Sequence, residues 1–212
     1  MAFAIESLSI FVRKLLAFIV YSNKEILLLD NRDSFTYNLV HLLKSLHAKP
    51  RILDSLKYLD NEVVKFEKIL FSPGPGIPDH FPAMKSILSN YQSKQRILGI
   101  CLGHQAIAEF YGAKLFKQVV VQHGQVKQVI NKATHLNSII STMPAVFDVG
   151  LYHSWAIDAE SMPDSLHVTC ISEDQIIMGI KHKTFNIEGI QFHPESFLTK
   201  LGKELLENWL AT

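Results

Sequence analysis

Five residues, Gly99-Ile100-Cys101-Leu102-Gly103, join the apolar run Arg96-Ile97-Leu98-Gly99-Ile100 to the helix-like stretch His104-Gln105-Ala106-Ile107-Ala108-Glu109-Phe110. A small-x-nucleophile-x-small pattern between strand and helix is the spacing of a nucleophile elbow, here with Cys where Ser is more usual. The turn is so sharp that side chains two residues either side of Cys101 would strike neighbouring backbone, and glycine removes that collision. A cysteine held there sits at a helix N-terminus, where the partial positive charge favours the reactive thiolate. Taken alone, Cys101 could equally be a small buried residue at a helix start. The flanking glycines favour the nucleophile.

A thiolate of this kind needs a proton carrier. Residues 185–192 read as a strand, and His193-Pro194-Glu195 follows at its end. Two residues apart in an extended segment, His193 and Glu195 point the same way. Glu195 is thus predicted to bond one ring nitrogen and leave the other facing a substrate. That is the nucleophile–base–orienter set of acyl transfer. Without the elbow, His-Pro-Glu alone would read as a surface turn.

The rest of the chain supplies a scaffold for such a pair. Apolar strand candidates lie at 25–30, 51–53, 68–71 and 96–100, with amphipathic helix candidates at 35–47, 61–66 and 82–91. This alternation predicts an α/β fold, a mostly parallel central sheet with helices on both faces. Function in such sheets gathers at the carboxyl ends of strands. Asp30-Asn31-Arg32-Asp33-Ser34, Ser72-Pro73-Gly74-Pro75-Gly76-Ile77-Pro78 and Cys101 all fall there. In the second half, 119–130 and later stretches read as a smaller antiparallel region, and 197–210 as a closing helix. No repeat, low-complexity tract or linker interrupts residues 25–212, which are expected to form one domain.

Four blocks in this order resemble a class I (triad) glutamine amidotransferase: the Asp30 block, the Gly74-Pro75-Gly76 turn, the cysteine elbow, and Tyr152-His153-Ser154 followed by His193-Pro194-Glu195. The Asp33-Ser34-Phe35-Thr36-Tyr37-Asn38 form looks like the glutaminase component of anthranilate synthase or aminodeoxychorismate synthase. The likeness runs from about Glu25 to the C-terminus. It implies a flavodoxin-like fold and a Cys101–His193–Glu195 triad that hydrolyses L-glutamine. It implies an oxyanion hole from the N–H of Leu102 and a backbone N–H of the glycine turn, at Gly74, since Pro75 has no N–H to give. Glutamine would be held by Gly74, Pro75, Gly76, Gln105, Ser154 and Trp155. Gln105 read alone could be a solvated helix residue, and Ser154 a turn residue.

The resemblance also implies a partner, a larger chorismate-binding synthase subunit. That subunit would carry Mg²⁺ and use the ammonia to make anthranilate or 4-amino-4-deoxychorismate. No cofactor or metal is expected in this chain. Asp33, Ser34, Phe35, Thr36, Tyr37 and Asn38 are candidates for part of the interface. Their local reading is that Asp33 or Ser34 caps the helix beginning near Phe35. The sequence departs from the family where Leu151 stands for the usual Arg, Trp155 for the usual Leu, and Gln125 follows His123-Gly124.

Composition narrows the alternatives. With 21 basic and 20 acidic residues the formal charge is +1, which gives no electrostatic reason to bind nucleic acid or an anionic membrane. Two cysteines, one of them the elbow residue, suit a reducing cytosol. Cys170, in an alternating strand pattern, reads as core. Residues 1–24 are apolar, with Arg13 and Lys14 interrupting the run. They fit neither a signal peptide nor a membrane span. Ile5, Leu8, Val12, Leu15, Leu16 and Ile19 recur at helical spacing, so an added amphipathic helix and a mis-set translation start are both open. Two other functions use the same fold: a free-standing γ-glutamyl hydrolase, and a catalytically silent regulatory subunit.

Overall fold

In the computed structural model, residues 25–212 are described, and the expectations for 1–24 lie outside them. Strands β1 (Glu25–Asp30), β3 (Lys68–Phe71) and β4 (Arg96–Ile100) and helix α3 (Pro82–Tyr91) form where the apolar pattern places them. Between them lie α1 (Thr36–Ser45), β2 (Lys49–Asp54) and the short α2 (Asp60–Val63). Helix α4 (Leu102–Phe110) follows β4 after a single residue. The second half holds β5 (Leu115–Lys117), β6 (Gln125–Asn131), β7 (Val146–Leu151), β8 (Trp155–Ile157), β9 (Leu166–Ser172), β10 (Ile177–His182), β11 (Ile187–Ile190) and α5 (Gly202–Ala211).

Nine strands make one sheet in the order β2-β1-β3-β4-β11-β10-β9-β6-β7, and β5 pairs with β8 in a second, two-stranded sheet. Strands β2 through β11 in that order run parallel. From β11 onward, the neighbours β10, β9, β6 and β7 are antiparallel. The antiparallel strands therefore continue the central sheet. Alternation along the strands divides the core in two. Ile26, Leu28, Leu70 and Leu98 face α1 and α5 through Leu39, Leu43, Leu206 and Trp209. Leu27, Leu29, Ile69 and Ile97 face α3 and α4 through Met84, Ile87, Ala106 and Ile107. Each such side chain contributes about 1.5–3 kcal/mol when fully buried.

Two stretches differ from the sequence pattern. Of the 119–130 run only residues 125–130 are strand, as part of β6, which continues to Asn131. Val119, Val120 and Val121 are exposed, because the loop they occupy bonds to the site segment instead of a strand: Gln118 N–H donates to Ser154 O and Gln122 N–H to His153 O. The closing helix begins at Gly202, later than expected, because residues 193–202 are spent on consecutive turns: Ser196 N–H to His193 O, Thr199 N–H to Ser196 O, Gly202 N–H to Thr199 O.

Candidate active site

Cys101 alone makes the turn from β4 to α4, at φ 51° and ψ −99°. For a residue other than glycine this backbone costs about 1–3 kcal/mol, held by its surroundings. A β-carbon at Gly99 would stand 2.4 Å from the carbonyl carbon of Gly103, and one at Gly103 would stand 2.6 Å from Cβ of Phe71. The two glycines thus let the helix start press onto β4 and β3, which is what the elbow spacing predicts. Cys101 itself is buried, and its N–H donates to Ile190 O at 2.8 Å. Because Ile190 pairs in register with Ile100, the chain leaving β11 emerges beside the elbow.

That chain carries His193 and Glu195. His193 Nδ1 lies 2.7 Å from Glu195 Oε1, with both side chains buried. The expected pairing is present, but it is made across a turn and not along an extended segment, since Pro194 starts the turns described above. Burial is the largest single influence on the imidazole and acts to lower its pKa. The charges of Glu195 and Cys101 and their hydrogen-bonding together outweigh it, and the pKa rises well above the usual 6.5. His193 Nε2 is buried without a hydrogen bond of standard geometry, as is Glu195 Oε2. The rings of Phe35 and Tyr152 lie 5.4 and 5.0 Å from the imidazole.

Phe35 belongs to the block expected at an interface. Asp33 accepts the Phe35 N–H at 2.7 Å through its side chain, and α1 begins at Thr36, whose hydroxyl donates to Asp30. Asp33 therefore supplies the cap-like bond, while Ser34, Tyr37 and Asn38 are exposed.

Two of the expected substrate-binding residues connect to the elbow, Gly74 through Leu102 and Gln105 through Gln191. Gly74 lies against Leu102 and Asn31, where a β-carbon would come within 2.5 Å of Leu102 Cδ2. Leu102 is the first residue of α4, where N–H groups have no intrahelical acceptor. Pro75 and Gly76 are exposed at the turn, and Ser154 and Trp155 are half-buried. Gln105 is no solvated helix residue: its Nε2 donates to Trp155 O at 2.9 Å and to Gln191 Oε1 at 3.0 Å. Leu151, at the family's Arg position, is fully buried in the core.

Three further residues lay beyond the sequence reading. Gln191, fully buried two residues before His193, places Nε2 3.5 Å from Cys101 Sγ. His153 Nδ1 lies 2.9 Å from Trp155 O. A carbonyl only accepts, so Nδ1 carries the proton and Nε2 is the bare, unpartnered nitrogen. Burial first, then the charge of His193, pushes its pKa down to about 4, against the opposing bond to Trp155. His104, fully buried with neither ring nitrogen in a standard hydrogen bond, is pushed down to about 3 by burial. The only signal for these is position, each lying within three residues of Cys101, Ser154 or His193. Cys170 is fully buried, with its thiol pushed up by burial. No described helix is long and apolar enough to cross a membrane.

An α/β sheet that sets a cysteine elbow beside a buried histidine–glutamate pair defines a class of protein, and the family comparison agrees. Residues 27–212 match the model of the class-I glutamine amidotransferases, and the chain belongs to that family. It is 37% identical over 187 residues to aminodeoxychorismate synthase component 2 of Escherichia coli, covering 87% of this chain and 98% of that protein. It is 36% identical over 192 residues to anthranilate synthase component 2 of Pseudomonas aeruginosa, covering 87% and 94%. The solved structure of a glutamine amidotransferase from Thermotoga maritima superposes with a TM-score of 0.70 at 17% identity, over 88% of this chain and 96% of that one, and so shares the fold.

Proposed function

We propose that this chain is the glutaminase component of a two-subunit synthase, releasing ammonia from L-glutamine at Cys101 for a larger chorismate-binding partner. The observation that carries the reading is the buried His193, bonded at 2.7 Å to Glu195 and raised in pKa by that carboxylate and by Cys101. An imidazolium beside a thiolate is the pair an amide-cleaving cysteine requires. In this reading the sulfur attacks the side-chain amide carbon of glutamine. His193 gives its proton to the leaving ammonia while Glu195 steadies the ring. The γ-glutamyl thioester is then hydrolysed by water activated by the same imidazole. The N–H of Leu102 and a backbone N–H at Gly74 would receive the charge developing on the carbonyl oxygen, and losing one such donor costs about 10²–10³-fold in turnover.

Glutamine would lie between the Gly74-Pro75-Gly76 turn and the Ser154–Trp155 segment, with Gln105 beneath it. Ammonia set free in water is protonated and lost, so docking to a synthase gives the reaction its use. The names of the relatives support this partner class, and both names occur at nearly equal identity. Mg²⁺ would be held by the partner and not by this chain. Both cysteines are free, in keeping with a reducing, cytoplasmic setting. The test mixes the chain with each type of synthase subunit, chorismate and glutamine. Cys101→Ala is expected to abolish glutamine-dependent product and leave synthesis from added ammonium salt intact. Equal loss of both would refute the assignment, and the product formed by wild type identifies the partner.

A further inference from the structure

Two side-chain amides connect the carbonyl of Trp155 to the sulfur of Cys101, and the chemistry at one end fixes how both are turned. A backbone carbonyl has no proton to give, so the Gln105 atom 2.9 Å from Trp155 O is the nitrogen. That nitrogen also lies 3.0 Å from the end of Gln191, and a second N–H there would repel it, so the atom facing it is Gln191 Oε1. The nitrogen of Gln191 is left pointing at Cys101 Sγ, at 3.5 Å. Gln191 is 0% exposed and Gln105 3%, so bulk water offers neither amide another partner. The main chain of Gln191 is tied as well, its N–H donating to Met178 O at 2.9 Å.

We infer that Gln191 is a positioning residue that donates an N–H to the Cys101 sulfur, and that Gln105 is the clamp preventing its amide from flipping. This rests on the reading of Cys101 as the nucleophile. A thiol proton needs an acceptor, whereas a thiolate needs donors, and here the amide presents only a donor. The bond therefore favours the anion and holds the sulfur in one rotamer at the end of a strained turn. Anchoring the clamp on Trp155 O also makes the sulfur's surroundings depend on the same segment that carries Ser154.

The test uses the full chain without glutamine. Iodoacetamide alkylation of Cys101 is followed by mass spectrometry of its peptide across pH, with buried Cys170 as the internal control. Gln191→Met, similar in length but lacking a donor, is expected to move the midpoint of the rate–pH profile about one unit higher, slowing alkylation about tenfold below it. Gln191→Glu keeps the length and the oxygen that meets Gln105 but turns an acceptor toward the sulfur. It should move the midpoint at least as far in the same direction, while Gln105→Met moves it less. Profiles of both Gln191 variants that superimpose on wild type, or move to lower pH, overturn the inference. The nucleophile reading fails separately, by a Cys101→Ala protein that still releases ammonia from glutamine. A role for Gln191 in packing alone would lower stability without moving the midpoint.

Discussion

Lowering the pH from 6 to 4.5 should destabilise this protein through two buried histidines. His104 is 0% exposed and His153 4%. Burial lowers their pKa values from 6.5 to about 3 and about 4. For a group whose folded pKa is depressed, the unfolded chain binds the extra proton, so stability is fully present above 6.5 and is lost as pH falls toward the folded value. Within the window each imidazole takes up close to one proton on unfolding, worth about 1.4 kcal/mol per pH unit. Together they give a slope of about 2.7 kcal/mol per unit, or about 4 kcal/mol across the window. That is a large share of the ~5–15 kcal/mol by which domains are stable. His193 does not oppose it, because a raised pKa leaves that ring protonated in both states below 6.5; its stabilising contribution is lost only as pH rises through its folded value. The carboxylates held low, Asp54 and Asp174, act at still more acid pH. Glu109, raised by burial, takes up its proton in the folded state and offsets part of the slope, whereas His182, lowered by burial, adds to it. The assay is urea unfolding at intervals across the window, for wild type and for His104→Gln, which should show about half the slope. A flat wild-type profile, or equal slopes in both proteins, would refute the reasoning.

Other outcomes follow from single contacts. Glu195→Gln removes the carboxylate that raises His193 and should cut kcat about 10²–10⁴-fold with little change in KM for glutamine, read by ammonia release in the partner complex. Gly99→Ala sets a methyl 2.4 Å from rigid Gly103 backbone. It should cost about 1–3 kcal/mol in denaturant unfolding and remove most of the glutaminase activity. Trp155→Leu should leave KM for glutamine within about threefold, because the hub contact is the main-chain carbonyl, which the substitution keeps.

How far the sequence could be read follows from what each residue answers to. Strands β1, β3 and β4 are continuous apolar runs bounded by polar or glycine-rich turns, and burial on both faces makes such runs distinctive. The three valines at 119–121 carry the same composition, yet they are exposed, because neighbouring backbone groups pair with 153–154 and no strand lies beside them. Composition reports what a segment prefers, and pairing depends on what the rest of the chain brings alongside. The elbow and His193-Pro194-Glu195 were legible because local backbone chemistry dictates them. Gln105 was singled out, but its pairing with Gln191 was not, since that meeting depends on sheet order and joins residues 86 positions apart in the chain. His104 and His153 look like any histidine until burial is known.

The place of β11 between β4 and β10 has a consequence for synthesis. The strand that completes the middle of the sheet is the last one made, so a ribosome has delivered Cys101 long before His193 exists. At about 5–20 residues per second the intervening stretch takes several seconds to emerge. A chain cut short before residue 187 would lack both His193 and β11, leaving Cys101 without that imidazole and the sheet with its central position empty.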